Sequence, residues 1–183
     1  DINAVDNHGF TALIVAAMKG QTACLPLLLD AKADIGAANK DGDTALIIAT
    51  GWGHAACVKL LLDAKADLYV VNKNGYTALI AAAVGGRSGC LQLLLDTKVD
   101  IDVREKNGNT ALIIAAGYGH TECLKLLLDA KADIAAIENY GHTASIVAAA
   151  FGHTGCLQLL LDANADINAV DNHGFTALIV AAM

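Results

Sequence analysis

Three kinds of chemically capable side chain recur along this sequence with 33-residue spacing. Cysteines in this pattern could form disulfides or bind zinc, histidines could bind a metal ion, and paired carboxylates could act as general acids and bases. The residues concerned are Cys24, Cys57, Cys90, Cys123 and Cys156, then His54, His120 and His153, then Asp34, Asp67, Asp100, Asp133 and Asp166. What they can do depends on the elements that position them.

Glycine and threonine follow the same period without an insertion. The columns are Gly9, Gly42, Gly75, Gly108, Gly141 and Gly174, and Thr11, Thr44, Thr77, Thr110, Thr143 and Thr176. They divide the chain into repeats 6–38, 39–71, 72–104, 105–137 and 138–170 and a partial repeat 171–183, with residues 1–5 ending a preceding repeat. We interpret residues 1–183 as a single array.

Each repeat carries the signals of two short helices and a turn. In the second repeat, Thr44 can cap a helix over 45–49, and Gly53 ends it. Residues 54–63 have one apolar stripe, which predicts an amphipathic second helix, and 64–75 are rich in turn residues. Such a repeat buries its apolar face only by stacking on its neighbours.

This stacking argues against each chemical interpretation. Packed helices lie roughly 8–10 Å apart, too far for disulfides or for Zn–S bonds of about 2.3 Å. We therefore predict that all the cysteines are buried and reduced, which favours a reducing, cytoplasmic compartment. The histidines are interpreted as helix-entry residues and the aspartates as turn residues, since an active site does not recur in every repeat. We predict no catalytic residues, no metal and no cofactor.

Composition excludes several partners. The net charge is −7 and the twelve basic residues are scattered, which argues against nucleic acid. No apolar run approaches the ~20 residues of a spanning helix, so we expect no membrane insertion. Nothing resembles a phosphate-binding loop or an activated nucleophile, and we expect no small-molecule substrate.

The period, the turn glycine, Thr-Ala-Leu-Ile, Gly-His, Leu-Leu-Leu and Ala-Asp resemble the ankyrin repeat over essentially the whole chain. The resemblance implies an all-α ankyrin-repeat solenoid of stacked helix-turn-helix units with short hairpin loops. It also implies that a partner binds the hairpin tips and the concave face of the first helices, and that the protein is not an enzyme.

Two departures from the family pattern matter, and one proline stands out among the repeats of this chain. Isoleucine replaces the usual histidine, as at Ile14, so apolar packing must replace its hydrogen bonds. Lysine or asparagine occupies the usual glycine after the second helix, as at Lys65, so that either the helix ends differently or the backbone is strained by ~1–2 kcal/mol. Pro26 should distort the second helix of the first repeat, and Pro26→Lys should raise thermal stability.

The aromatic residues occupy irregular columns in the hairpins and at the ends of the first helices. We predict that they form one exposed surface that binds a protein or another copy of this chain, with Trp52 and Tyr118 near its centre. An alternative is that they pack on each other and stiffen the hairpins. The predicted binding residues are Phe10, Trp52, Tyr76, Tyr118, Tyr140, His142, Phe151 and Phe175.

Residues 1–18 and 166–183 are identical. This identity indicates a duplicated block of five repeats, an engineered chain or a window on a longer periodic array. The sequence therefore favours a non-enzymatic protein-binding module. The alternative is a structural array or filament that self-assembles by end-to-end stacking of uncapped repeats. An enzyme would need a domain outside this segment.

Overall fold

The computed structural model describes residues 1–182. Within them lie eleven α-helices and no β-strand, which confirms the predicted all-α fold class. The helices are α1 Ala12–Met18, α2 Cys24–Asp30, α3 Ala45–Trp52, α4 Ala55–Asp63, α5 Ala78–Gly85, α6 Ser88–Leu95, α7 Ala111–Gly117, α8 Thr121–Asp129, α9 Ala144–Ala150, α10 Thr154–Asp162 and α11 Ala177–Ala181.

The first helix of every repeat begins after a capping threonine, as predicted. Before α3, the hydroxyl oxygen of Thr44 accepts a hydrogen bond from the amide of Ile47 at 3.4 Å. The helix ends at Gly53, whose φ of 85° lies in the left-handed region. Residues 45–50 are all buried, because small and branched side chains fill the space between adjacent repeats.

The isoleucine column is buried as expected in the first five repeats, with Ile14 and Ile80 at 0% exposure, whereas Ile179 of the partial sixth repeat is 44% exposed. In two other core columns, one repeat has a polar residue where the other repeats have an apolar one. Ser145 occupies the place of a leucine that is buried in the first four repeats, and it lines a cavity of about 150 Å³. Thr50 occupies the place of an alanine, and its buried hydroxyl has no hydrogen-bond partner.

The second helices bury one side only. In α4 the buried residues are Cys57, Val58 and Leu61, whereas Lys59 is exposed. After each second helix the backbone turns left-handed at the residue where the family has glycine, for example at Lys65 with φ 65°. The repeats therefore carry backbone strain at this residue, which was one of the two predicted alternatives, the other being a different helix end. The strain recurs at Lys32, Lys65, Lys98, Lys131 and Asn164.

Helix α2 begins two positions later in its repeat than α4 does. Pro26 is consequently the third residue of α2, where a backbone amide has no partner within the helix in any case. The proline shortens the helix and does not interrupt it. The destabilisation of ~3 kcal/mol that a proline causes in a helix interior therefore does not apply to Pro26.

The chain divides into an N-terminal unit, Asp1–Val99, and a C-terminal unit, Asp100–Met183. In the N-terminal unit, α1 packs on α3 and α3 on α5, while α2, α4 and α6 form a second layer in the same order. In the C-terminal unit, α7 packs on α9 and α9 on α11, and α8 packs on α10. The core of each unit lies between successive helix pairs. That residues 1–183 form a single array stays a prediction.

The prediction that every cysteine is buried is wrong for Cys24, which is exposed, and correct for the other four. The reason lies in the direction of the side chains. The Cys57 sulfur lies 3.7 Å from Thr22 Oγ1, and the Cys156 sulfur lies 3.8 Å from Thr121 Oγ1, so each faces the preceding repeat. Cys24 belongs to the first helix pair, and no other pair precedes it within residues 1–182. Burial raises the pKa of the Cys90 and Cys156 thiols.

Candidate functional site

Each hairpin is built around the side chain of its first residue. The Asp6 carboxylate accepts hydrogen bonds from the amides of His8 at 2.8 Å and Phe10 at 2.9 Å. These bonds, with that of Phe10 foremost, lower the pKa of Asp6. The equivalent Asn72 bonds the amides of Asn74 and Tyr76 in the same way. The turn therefore holds the residue after its glycine in a fixed position.

Successive hairpins within a unit are joined through their backbones. Lys40 N donates to His8 O at 3.0 Å, and Asn139 N donates to Asn107 O at 3.0 Å. A Cβ on Gly9 would lie 2.9 Å from Lys40 N, and the φ of Gly9 is 83°. The turn glycine is thus required both for its backbone conformation and for the approach of the next hairpin.

The predicted aromatic residues differ in exposure. Those at the ends of the first helices are all open, with Trp52 61%, Tyr118 59% and Phe151 67% exposed. Among the hairpin residues, Tyr140 is 62% exposed, whereas Phe10, Tyr76 and Phe175 are more covered.

Five aromatic side chains contact the ring of a histidine two residues away. Tyr118 stacks on His120 with ring centroids 5.9 Å apart, and Phe151 stacks on His153 at 6.3 Å. The other pairs are His8–Phe10, Tyr140–His142 and His173–Phe175. These contacts support a local form of the alternative, in which an aromatic side chain packs on a neighbouring histidine.

His142 holds two hairpins together. Its Nδ1 lies 2.9 Å from Glu138 Oε1 and its Nε2 lies 3.3 Å from Asp171 Oδ2, and both carboxylates are buried. The hydrogen bond from the Phe175 amide lowers the pKa of Asp171 most, and the His173 amide and the charge of His142 lower it further. The structure therefore gives His142 a bridging contact, and its role in binding stays a prediction.

Trp52 and Tyr76 meet at one groove in the N-terminal unit. The groove has a volume of about 260 Å³ and runs from the hairpins to the ends of α3 and α5. At the helix ends the backbone of Gly85 approaches Gly51 closely, since a Cβ on Gly85 would lie 2.6 Å from Gly51 O. The lining of the groove includes Asp43, Ile47, Ile48, Gly51, Trp52, Asn72, Tyr76, Ala81, Val84 and Gly85. That all the aromatic columns form one surface stays a prediction.

Sequence reasoning missed a clamp between successive repeats. His54 Nε2 donates to Met18 O at 3.1 Å, and Arg87 Nε donates to Gly51 O at 3.1 Å. His153 Nε2 donates in the same way to Gly117 O at 3.0 Å. His54 is the N-cap residue of α4, in agreement with the helix-entry interpretation, but its side chain makes no capping bond there. The signal was present in the sequence, because glutamine, histidine or arginine, all N–H donors, occupies this column.

No group of three or more His, Cys, Asp or Glu side chains in residues 1–182 is placed to hold a metal ion. None of the helices in this described part of the chain is long and apolar enough to cross a membrane.

Three overlapping stretches of the chain match one family model. The model, described as "Ankyrin repeats (3 copies)", matches residues 1–72, 64–138 and 135–183. The crystal structure of the ankyrin repeat domain of Bcl-3, a unique member of the IkappaB protein family, is similar to this chain. The two superpose with a TM-score of 0.89 and share 29% sequence identity. That match covers 99% of this chain and 82% of the Bcl-3 chain. A search of curated protein sequences gave no significant match.

Proposed function

Because this chain belongs to the ankyrin repeat family, we propose that it is a non-enzymatic module that binds a protein partner through its hairpins and first helices. Ankyrin repeats generally serve as protein–protein interaction modules. The observation that carries the proposal is the groove between α3 and α5, with Trp52 and Tyr76 in its lining.

The groove is suited to an apolar side chain of the partner. Trp52 is 61% exposed, so most of its surface lies in solvent in the free chain. Burying an aromatic side chain against a partner stabilises a complex by about 2 kcal/mol or more. Gly51 and Gly85, which have no side chains, also lie in the lining of the groove.

Charge narrows the kind of partner. Asp43 lies in the lining of the groove, Asp41 is exposed in the same hairpin, and the whole chain has a net charge of −7. A partner segment with an aliphatic or aromatic residue beside a lysine or arginine complements these features. The ammonium or guanidinium group of that residue can also lie against the face of Trp52.

Peptide selection tests this proposal. Peptides selected from a displayed library on the folded chain should be enriched in a basic residue next to an apolar one. Trp52 is the only tryptophan, so its fluorescence reports directly on occupation of the groove. By calorimetry, Trp52→Ala and Tyr76→Ala should each weaken binding about tenfold or more, as expected for central anchors.

Tyr69→Ala is the matched control, because Tyr69 is 64% exposed and lies outside the groove lining. Tyr118→Ala examines the predicted extension of the surface into the C-terminal unit and should also weaken binding. Melting temperatures of the variants should match that of the original chain. Unchanged affinity of the selected peptides for Trp52→Ala would contradict the proposal.

A second candidate function is self-assembly by end-to-end stacking. It is supported by the identity of residues 1–18 and 166–183. It is also supported by exposed leucines on the first and sixth repeats, with Leu27 70% and Leu178 72% exposed. Sedimentation velocity over a range of concentrations tests it, and a single monomeric species at every concentration would exclude it.

A further inference from the structure

One 18-residue sequence occupies two different environments in this chain. Residues 1–18 end in α1, which packs on the following repeat through α3, and residues 166–183 contain α11, which packs on the preceding repeat through α9. The two copies bury opposite sides. Leu13 is 1% exposed and its counterpart Leu178 is 72% exposed.

The side that the second copy buries is open in the first copy. Ala177 is 2% exposed and Asp171 is 7% exposed, whereas the equivalent Ala12 and Asp6 are exposed. On the fifth repeat, Ala177 joins an apolar cluster with Ile146 and Ala149. Residues 1–18 therefore carry a surface that is uncovered within residues 1–182, and its complement, the fifth repeat, is visible in the same structure.

The polar contacts between residues 166–182 and the fifth repeat can also be made by residues 1–18 of another molecule. Asn172 N donates to Tyr140 O at 3.0 Å, and the Asn172 side chain donates to Asn139 O at 3.2 Å. Asn7 has the same place in the first copy and is exposed. Residues 1–18 of another molecule can thus make the same backbone and side-chain bonds on the fifth repeat.

The first repeat has, in addition, a second helix to bury. Leu27 and Cys24 of α2 line an apolar groove of about 530 Å³ on the outer side of the first repeat. On the fifth repeat, α10 leaves Leu161 37% exposed. The Thr22–Cys57 and Thr121–Cys156 contacts show how such second helices meet, and the same spacing places Thr154 opposite Cys24 of another molecule.

We propose that this chain self-associates by exchange: residues 1–18 of a second copy displace the identical residues 166–183 from the fifth repeat of the first copy. The proposal rests on the self-assembly candidate above and specifies its interface. Because the two segments are identical, the incoming segment packs on the fifth repeat as the displaced one did. The gain is the burial of α2 against α10, which no packing within one copy supplies in residues 1–182.

Two substitutions at equivalent positions separate exchange from simple end-to-end stacking. Ala12→Asp places a charge on the surface that must be buried, so it should weaken association about tenfold or more, with little effect on the monomer, in which Ala12 is exposed. Ala177→Asp loosens only the segment that competes for the fifth repeat. Exchange predicts that it strengthens association, whereas stacking onto α11 predicts that it weakens association.

Sedimentation velocity of the full chain measures both effects. Stronger association of Ala177→Asp together with weaker association of Ala12→Asp supports exchange. Association that Ala177→Asp weakens overturns exchange and leaves self-assembly by stacking. Absence of any association overturns both.

A cross-link provides an independent check on the same interface. Thr154→Cys introduces a thiol that should form a disulfide with Cys24 of another molecule under mild oxidation and yield a ladder of multimers on non-reducing gels. Adding Ala12→Asp to this variant should remove the ladder. A ladder that persists in the double variant would show contact by collision only and would contradict the proposed interface.

Discussion

Replacing Ser145 by leucine should stabilise the C-terminal unit. Leu13, Leu46, Leu79 and Leu112 occupy this position in the first four repeats and are 1% exposed, whereas Ser145 lines a cavity of about 150 Å³. Leucine exchanges a hydroxyl for three carbon groups. At about 0.8 kcal/mol for each buried methylene-sized group, the gain is about 2 kcal/mol, since part of the cavity opens to solvent.

Urea denaturation followed by circular dichroism measures this change, and in a thermal melt a gain of about 2 kcal/mol corresponds to roughly 4–8 °C for a protein of this size. Ser145→Ala is the control, because it removes the hydroxyl without filling the cavity and should change stability by less than about 1 kcal/mol. Leu112→Ser creates the same defect in the fourth repeat and should cost about 2–5 kcal/mol. If Ser145→Leu lowers stability while Leu112→Ser behaves as expected, residue 145 does not fill the cavity and the reasoning is refuted.

Three further perturbations test other features of the fold. Thr50→Val keeps the shape of the side chain and removes the unpaired buried hydroxyl, so the urea midpoint should rise by an amount equivalent to about 1 kcal/mol; a lower midpoint would reveal a partner for the hydroxyl. Pro26→Lys lets α2 begin earlier. It should stabilise the chain by only about 0.5–1 kcal/mol in a thermal melt, because Pro26 lies in the first turn of α2 and not in its interior; an unchanged melting temperature would mean that the longer helix does not increase stability. The pKa of Asp171 is lowered in the folded state. The Asp171 carboxylate therefore stabilises the fold at pH values above 3.8, the ordinary pKa of an aspartate, and this stabilisation is lost as the pH falls through the lowered pKa. The protection of the Phe175 amide against hydrogen exchange should fall on acidification below about pH 4, and Asp171→Asn should abolish this dependence, because Asn72 makes the same bonds without a charge; an equal fall in that variant would assign the effect to another group.

The features that the sequence predicted correctly are those whose determinants all lie within one repeat. Thr44 caps its helix, Gly53 ends it, and Ile14 is buried in the isoleucine column. Each depends on residues within a few positions of one another, so the local signal is complete. Repetition of the signal along the chain then removes most of the ambiguity of any single instance.

The features that were missed depend on contacts between repeats. The bond from His54 to Met18 O spans 36 residues, and nothing in the local sequence indicates which carbonyl group the histidine reaches. Trp52 and Tyr76 belong to different columns, and only the packing of α3 on α5 brings both to one groove. Cys24 matches its column perfectly, yet it is exposed because no other helix pair precedes its own within residues 1–182.

The strained lysine column has a consequence for how this molecule evolves. Lys32, Lys65, Lys98 and Lys131 all lie in the left-handed region at the same place in successive repeats. When a repeat is duplicated, its defect is inherited along with its fold, so the penalty grows in proportion to the number of copies. Because repeat stability is nearly additive, each position can be relieved independently by glycine. The stability of the repeats can therefore be adjusted in small, separable increments without altering the surfaces that we propose bind a partner.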